Sequence, residues 1–340
     1  MRTTRLLTAL AMVAAFAVVS APPAMAAEYK AEYKVSTVVP PPFPWGISAE
    51  KWAELVGERT GGRINMKIYP GAQLVQGDQT KEFTAMRDGI IDMAVASTIN
   101  WSPQVKELNI FSMPFLMPDN AAIDALTRGP VGKRLFDIIR DKGGEPLAWG
   151  ENGFRQLSNS KHKVSTPADL KGLKIRVVGS PLFNDTFTAL GANPTQMSWA
   201  DAKPALATGA VDGQENPLTI YAIAKMNTLD QKYITLWNYV ADPLIFAVNK
   251  RVWDGFTPED QEIVRQAAVE AGALGIKLAR DGDAELEKTL PAEGVTLTRL
   301  TDAEHQAFVD ATRGVFAEWT DKIGADLVKT AEESIAKRGK

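Results

Sequence analysis

Short runs of β-forming residues alternate with helix-forming runs along almost all of this 340-residue chain, and this alternation restricts its fold more than any other feature. Strands are predicted at Ile90 to Ala96, directly before Ser97, and at Lys174 to Val178. One helix is predicted within Asn120 to Lys142, and the longest runs from Thr257 to about Leu290. Such alternation is typical of α/β units with largely parallel sheets, so we expect an α/β fold.

The first residues indicate export. Arg2 and Arg5 precede an almost wholly apolar run, Leu6 to Val19, and small residues at Ala24 and Ala26 flank a cleavage site after Ala26. This is the layout of a secretory signal peptide, and we predict residues 1–26 to be one. The apolar run is shorter than the roughly 20 residues that a membrane-spanning helix needs, although an uncleaved anchor is the alternative interpretation.

Charge and cysteine content exclude several classes of partner. Without the leader, 36 of the 38 basic residues remain against 41 acidic ones, a net charge of −5. This balance argues against nucleic acid and anionic lipid as partners. The sequence has no Cys, so neither a lipid-modified cysteine nor a disulfide can form, and we expect no direct membrane insertion. The remaining 314 of the 340 residues suit two domains, and a monomer is the simpler expectation.

Catalytic patterns are mostly missing from the sequence. Its only two histidines, His162 and His305, lie in polar surroundings and are predicted to be solvated surface residues. They suggest neither a metal cluster nor a Ser-His-Asp arrangement, and no phosphate-binding loop or dinucleotide fingerprint is present. We therefore expect no cofactor and no metal. A carboxylate pair acting alone stays open, but ligand binding is the first hypothesis.

Two arginines lie where a buried charge needs a partner. Arg176 is flanked by apolar residues on a predicted strand, and Arg155 follows Phe154 in a similar setting. The planar guanidinium matches a carboxylate with two parallel hydrogen bonds. Each arginine is therefore a candidate ligand-binding residue, and a salt bridge to an internal acid is the alternative for each.

A polar turn and an aromatic residue extend this candidate site. The segment Asp212 to Pro217 follows an apolar dipeptide and contains Asn216 among several hydrogen-bonding side chains. Trp199 precedes a predicted helix and offers an aromatic wall, or simple core packing. A planar donor, an amide and an aromatic surface together suit a small ligand with one polar end.

Five sequence motifs resemble those of the substrate-binding proteins of tripartite ATP-independent periplasmic (TRAP) transporters, the DctP-like family. The resemblance extends through the whole mature chain. It is carried by Tyr69-Pro70-Gly71-Ala72-Gln73-Leu74, Asp88-Gly89-Ile90-Ile91-Asp92-Met93-Ala94, Gly153-Phe154-Arg155, Asp169-Leu170-Lys171-Gly172-Leu173-Lys174-Ile175-Arg176 and Gly209-Ala210-Val211-Asp212-Gly213-Gln214-Glu215-Asn216-Pro217. The last two motifs together are highly specific.

The resemblance implies a two-lobed periplasmic-binding-protein clamp, with a ligand cleft between the lobes and a long helix spanning both. Residues 27–152 and about 242–280 are then expected to form lobe 1. Residues 153–241 and about 281–315 form lobe 2, and about 316–340 form a C-terminal helical tail.

The resemblance also assigns roles in the cleft. It makes Arg176 the principal carboxylate-binding arginine, Arg155 the second cleft arginine, Asn216 the cleft asparagine and Trp199 the aromatic that packs on the ligand. Ser97 takes a position that can contact the polar part of the ligand. Relatives that bind bulky acidic sugars can have Glu there, so Ser97 argues against a sialic-acid-like substrate.

The loop from Pro40 to Trp45 is less polar than in sugar-acid binders. Phe43 and Trp45 are expected to make this side of the cleft apolar, with inward packing of both rings as the alternative. This favours a compact monocarboxylate: a hydroxy, keto or aromatic acid.

The expected function is that of a periplasmic solute-binding protein that delivers a small organic acid to a TRAP permease. A periplasmic receptor that senses the same ligand is an alternative, and an enzyme acting on a small acid is a weaker one.

Overall fold

The computed structural model describes residues 29–338, and the predicted leader lies outside this range. Within it, no helix combines the length and the apolar character needed to cross a membrane. The strands fall into two sheets, and helices cover the faces of both.

The first sheet has five strands in the order β2-β1-β3-β10-β4. Their bounds are β1 Tyr33–Ser36, β2 Met66–Tyr69, β3 Met93–Ser97, β4 Gly144–Phe154 and β10 Ala241–Asn249. Alternate residues of β10 enter two different core clusters, Leu244, Phe246 and Val248 on one side and Ile245 and Ala247 on the other. The sheet is therefore covered on both faces, as the nearly unbroken apolar sequence of β10 requires.

The second sheet has six strands in the order β11-β9-β5-β8-β6-β7. Their bounds are β5 Gln156–Asn159, β6 Lys174–Val177, β7 Asn193–Gln196, β8 Gly213–Asn216, β9 Tyr233–Leu236 and β11 Thr296–Arg299. The expectation of largely parallel sheets is only partly met. Strand β10 is antiparallel to β3 and β4, and β5 is antiparallel to β8 and β9. Both sheets are mixed because β4, β5, β9 and β10 lie where the chain passes between them.

The α-helices of residues 29–338 lie on the faces and ends of these sheets. They are α1 Pro44–Arg59, α2 Glu82–Arg87, α3 Thr98–Trp101, α4 Asn120–Arg128, α5 Pro130–Asp141, α6 Pro181–Ala189, α7 Trp199–Ala207, α8 Leu218–Ile223, α9 Lys250–Asp254, α10 Pro258–Thr289, α11 Asp302–Ile323 and α12 Ala325–Ala336.

The single helix predicted within residues 120–142 is two helices, α4 and α5. Gly129 between them has an extended backbone, and Pro130 begins the second helix. A proline disfavours the helical conformation in the residue before it and donates no backbone hydrogen bond, so the first helix ends there.

The longest helix, α10, joins the two halves of the molecule. It contacts α1 and β4 beside the first sheet and α8 beside the second. At Gly272 a Cβ atom would lie 2.4 Å from the carbonyl oxygen of Trp149, so only glycine allows α10 to pack this closely on β4. Towards the C-terminus, α11 contacts α6 of the second half, while α12 contacts α4 and α5 of the first. The molecule is a two-lobed clamp whose lobes are tied together by several segments.

Candidate functional site

A small cavity lies between the two lobes, where the ends of several strands meet. Its volume is about 30 Å³. Strand β3 contributes its last residue, and β6 and β8 contribute side chains from the second sheet. The chain crossings between the sheets contribute Asn152, Arg155 and Asp242, and loops and helices contribute the rest. The lining residues are Val38, Val39, Trp45, Gln79, Ser97, Asn100, Asn152, Arg155, Arg176, Val178, Trp199, Asn216, Ile220 and Asp242.

Arg155 lies between β4 and β5 and is surrounded by acids. Its Nη2 donates to Glu215 Oε1 at 2.8 Å, and its Nε donates to Oε2 of the same carboxylate. Its Nη1 donates to Asp242 Oδ2 at 3.0 Å. Burial lowers the pKa of Arg155, but the charge and hydrogen bonds of Glu215 and the charge of Asp242 outweigh burial and raise it above its ordinary value. The guanidinium is therefore a charged, fully paired group.

Arg176, on β6, has a different environment. Its side chain is 1% exposed, and its Nε and Nη2 donate to the backbone carbonyl of Met197 at 3.1 and 2.9 Å. Among residues 29–338, no carboxylate lies within salt-bridge distance of it. Burial lowers its pKa to about 10, with the charge of Glu215 opposing this and that of Arg155 adding to it. A buried cation without an anionic partner is costly, so this side chain is suited to receiving an anion.

Asp242 places a carboxyl group on the cavity wall. Its Oδ1 accepts a hydrogen bond from Ser97 Oγ at 2.5 Å, and its Oδ2 accepts one from Asn152 Nδ2 at 2.8 Å. Burial raises its pKa, while the charge of Arg155 and the bonds from Ser97 and Asn152 oppose the rise. Ser97 also accepts from the Ile99 N–H at 3.1 Å, capping α3, so its hydroxyl is held in place from two sides.

Six of the seven residues predicted from the sequence line this cavity: Arg176, Arg155, Asn216, Trp199, Ser97 and Trp45. Trp45 donates from Nε1 to the Val95 carbonyl at 2.8 Å, which orients its ring. Trp199 is half-buried, and its ring centre lies 5.9 Å from Arg176 Cζ. Asn216 Nδ2 donates to Gln214 Oε1. Phe43 is not among the lining residues. Its ring is partly buried and packs against core clusters of both lobes, as in the inward-packing alternative.

Sequence reasoning missed four polar residues of the lining: Asp242, Asn152, Asn100 and Gln79. Asp242 had a detectable signal, because it is an acid before a proline at the start of the apolar run Pro243 to Val248. Asn152 lies in a strand segment rich in polar residues and glycine, a weaker signal. Nothing local distinguishes Asn100 or Gln79 from ordinary surface residues. Within residues 29–338, no group of three or more His, Asp or Glu side chains is placed to hold a metal ion.

Comparison with known proteins places this architecture in a family. A family model described as bacterial extracellular solute-binding protein, family 7 (DctP), matches residues 35–322. A TRAP periplasmic solute-binding protein from Ralstonia eutropha H16, solved with bound (S)-2-acetolactate, has 62% sequence identity and a TM-score of 0.90, covering 91% of this chain and 100% of its own.

Two curated relatives agree with this assignment. The 2,3-diketo-L-gulonate-binding periplasmic protein of Escherichia coli K12 is 35% identical over 84% of this chain and 87% of its own. The C4-dicarboxylate-binding periplasmic protein of Rhodobacter capsulatus is 30% identical over 99% of this chain and 100% of its own. The chain therefore belongs to the DctP family, family 7 of the bacterial extracellular solute-binding proteins, which comprises the ligand-binding components of TRAP transporters.

Proposed function

We propose that this protein captures a compact organic acid with a single carboxylate and delivers it to a TRAP permease. The observation that carries the proposal is the contrast in charge pairing at the cavity: Arg155 is neutralised by two acids, while the only hydrogen-bond acceptor of Arg176 among residues 29–338 is a backbone carbonyl. A ligand carboxylate docked on Arg176 supplies the missing anion through two parallel hydrogen bonds.

The charges around the cavity support one ligand carboxylate rather than two. Arg155 and Arg176 contribute two positive charges, and Glu215 and Asp242 contribute two negative ones. A monocarboxylate adds one negative charge and places it on Arg176. A second carboxylate would meet the Asp242 carboxyl across a small, poorly hydrated space, where like charges repel strongly.

The size and walls of the cavity support a short, branched acid. The cavity between the lobes is narrow, which favours aliphatic hydroxy or keto acids over aromatic ones. Apolar side chains form much of the wall, namely Val38, Val39, Val178 and Ile220. Asn216, Asn100 and Asn152 bring amides to the wall, and each amide can make more than one hydrogen bond, so a ligand hydroxyl or oxo group can bind there besides the existing bonds of Asn152 and Asn216. The bound ligand of the Ralstonia eutropha relative, (S)-2-acetolactate, is a compound of this kind.

Binding and delivery are proposed to follow the usual cycle of a clamp. The ligand docks on Arg176 in the second lobe, and closure brings Ser97 and Trp45 from the first lobe over it. Closure excludes water and strengthens each polar contact. The acid must bind the closed form better than the open one, because otherwise it cannot shift the equilibrium between them.

Export is part of the proposal. We expect residues 1–26 to be removed after Ala26 and the mature chain to reach the periplasm as a monomer. Intact mass measurement and sedimentation of the protein recovered from the periplasm would check both points.

The proposal is tested by calorimetry on the mature protein with three classes of acid: (S)-2-acetolactate and related branched 2-hydroxy acids, succinate, and galacturonate. We expect the first class to bind most tightly. In a thermal-unfolding assay, an acid at 100 times its Kd should add about 2.7 kcal/mol to the stability. Tighter binding of succinate or galacturonate than of every short monocarboxylate would contradict the proposal.

A further inference from the structure

Gln79 lies where the ligand cavity meets the outer mouth of the cleft. Its side chain is 3% exposed and lines both spaces, the cavity of about 30 Å³ and a second one of about 310 Å³ outside it. The outer space is bounded by residues 76–80 of the first lobe and by Gly179 and residues 196–201 of the second. Gln79 is therefore a partition between the two spaces.

The backbone around Gln79 is held firmly. Asp78 Oδ1 accepts hydrogen bonds from the backbone N–H and the hydroxyl of Thr80, at 3.2 and 2.6 Å, and so caps the short turn Gln79–Lys81. Across the cleft, a Cβ atom at Gly179 would lie 2.8 Å from Thr80 Cγ2, so the two lobes fit closely beside the partition.

A hydrogen bond between the lobes fixes the Gln79 side chain. The Trp199 backbone N–H donates to Gln79 Oε1 at 3.2 Å. Because a backbone N–H can only donate, the amide oxygen must face Trp199 and the amide nitrogen must face elsewhere. The same side chain thus contacts the opposite lobe and fills the outer end of the ligand cavity.

We propose that Gln79 sets the upper size limit of the acid that this protein accepts, and that its bond to Trp199 holds the closed lobes together. The inference rests on the proposed function of the Arg176 site. An acid anchored on Arg176 can extend towards the mouth only until it meets Gln79. A larger acid has to displace this side chain and break its bond to Trp199.

Two substitutions distinguish the size limit set by the Gln79 side chain from the hydrogen bond that it makes to Trp199. Gln79→Ala removes both, and joins the ligand cavity to the mouth. Gln79→Met keeps a side chain of similar length but removes the acceptor for the Trp199 N–H. Binding is measured by calorimetry with a homologous series of 2-hydroxy acids, from 2-hydroxypropanoate to 2-hydroxyoctanoate.

For the wild-type protein, affinity should fall steeply as the acid lengthens. Gln79→Met should weaken every member by a similar factor, about three- to tenfold, because one neutral hydrogen bond is lost. Gln79→Ala should shift the preference towards the longer acids by about tenfold, since a longer chain no longer has to displace the Gln79 side chain, and one methylene that fits rather than clashes changes binding by about that factor.

Gln196→Ala is the matched control. It makes the same substitution at the same mouth, but Gln196 does not line the ligand cavity, so the length profile should stay that of the wild type. Should Gln79→Ala fail to fold, Gln79→Ser gives nearly the same enlargement. If affinity changes with acid length in the same way in the wild type and in Gln79→Ala, the size limit assigned to Gln79 is overturned while the proposed function stands. Failure of the wild type to bind any member would overturn the proposed function, and the size limit with it.

Discussion

Arg155 and Arg176 are both almost completely buried and both line one cavity, yet they differ in whether a carboxylate lies beside the guanidinium. Arg155 is hydrogen-bonded to two carboxylates, those of Glu215 and Asp242, whereas in the described part of the chain Arg176 donates only to the Met197 carbonyl. Burial lowers the pKa of both arginines, but the neighbouring acids raise the pKa of Arg155 above its ordinary value, whereas the pKa of Arg176 stays lowered. We propose that the paired arginine serves the fold and that the unpaired one binds the ligand carboxylate.

The largest effect is expected when Arg155, the paired arginine, is replaced by an uncharged residue. Arg155→Met leaves Glu215 and Asp242 buried without their positive partner, and should lower the free energy of unfolding by about 3–5 kcal/mol. Urea denaturation of the ligand-free protein measures this loss. Adding Glu215→Gln and Asp242→Asn to the same chain should recover part of it. An unchanged stability of the single variant would show that Arg155 is not a structural ion-pair centre.

The same substitution at the unpaired arginine should produce the opposite pattern. Arg176→Met should leave the ligand-free protein at least as stable as the wild type, because it removes a buried charge that lacks an anionic partner. Binding should weaken by about 2–5 kcal/mol, since the ligand carboxylate loses its partner. Calorimetry and urea denaturation on one preparation give both values. Wild-type affinity in this variant would remove Arg176 from the site.

Glu82 extends the comparison to a buried acid. Ser36 Oγ donates to its Oε1 at 2.5 Å, while Oε2 has no hydrogen-bond partner among residues 29–338. Burial raises its pKa from 4.5 to about 7, and the Ser36 bond opposes the rise. Between pH 4.5 and about pH 7, Glu82 is protonated in the folded protein but ionised in the unfolded chain. The contribution of Glu82 to stability is therefore largest below about pH 4.5 and falls as pH rises to about 7.

Glu82→Gln should remove this pH dependence. From pH 5 to pH 8, the wild type should lose up to about 3 kcal/mol of stability relative to the variant. Parallel urea titrations of the two proteins at both pH values give the difference. A constant difference across this range would mean that the Glu82 carboxyl does not titrate there.

The smallest expected effect concerns the aromatic neighbour of the unpaired arginine. Trp199→Phe reduces the attraction between the ring and the Arg176 guanidinium, and should weaken binding by about 0.5–1 kcal/mol. Trp253→Phe is the control, because Trp253 lies 4.9 Å from the Arg265 guanidinium and outside the cavity. Equal effects of the two substitutions on affinity would deny Trp199 a specific role.

The local sequence could predict where the arginines lie but not which of them is paired. Both follow the same pattern of a charged residue among apolar neighbours. The acids that distinguish them are distant, since Glu215 is 60 residues from Arg155 and Asp242 is 87 residues away. The same limit explains the sheets: the alternation of strands and helices predicted α/β units, but not that a late strand enters the first sheet antiparallel to its neighbours.

Structural features with local causes could be predicted from the sequence. Thr257 and Pro258 begin the long helix at the position predicted for it. The break between α4 and α5 is equally local, because Pro130 by itself disfavours a helical Gly129.

The position of β10 in the first sheet has a consequence for how the protein is made. This strand, residues 241–249, lies between β3 and β4, which precede it by about a hundred residues or more. A growing chain that ends before residue 241 therefore exposes two unpaired strand edges and cannot complete its first core. We therefore expect the first sheet to form late, after most of the chain has been synthesised.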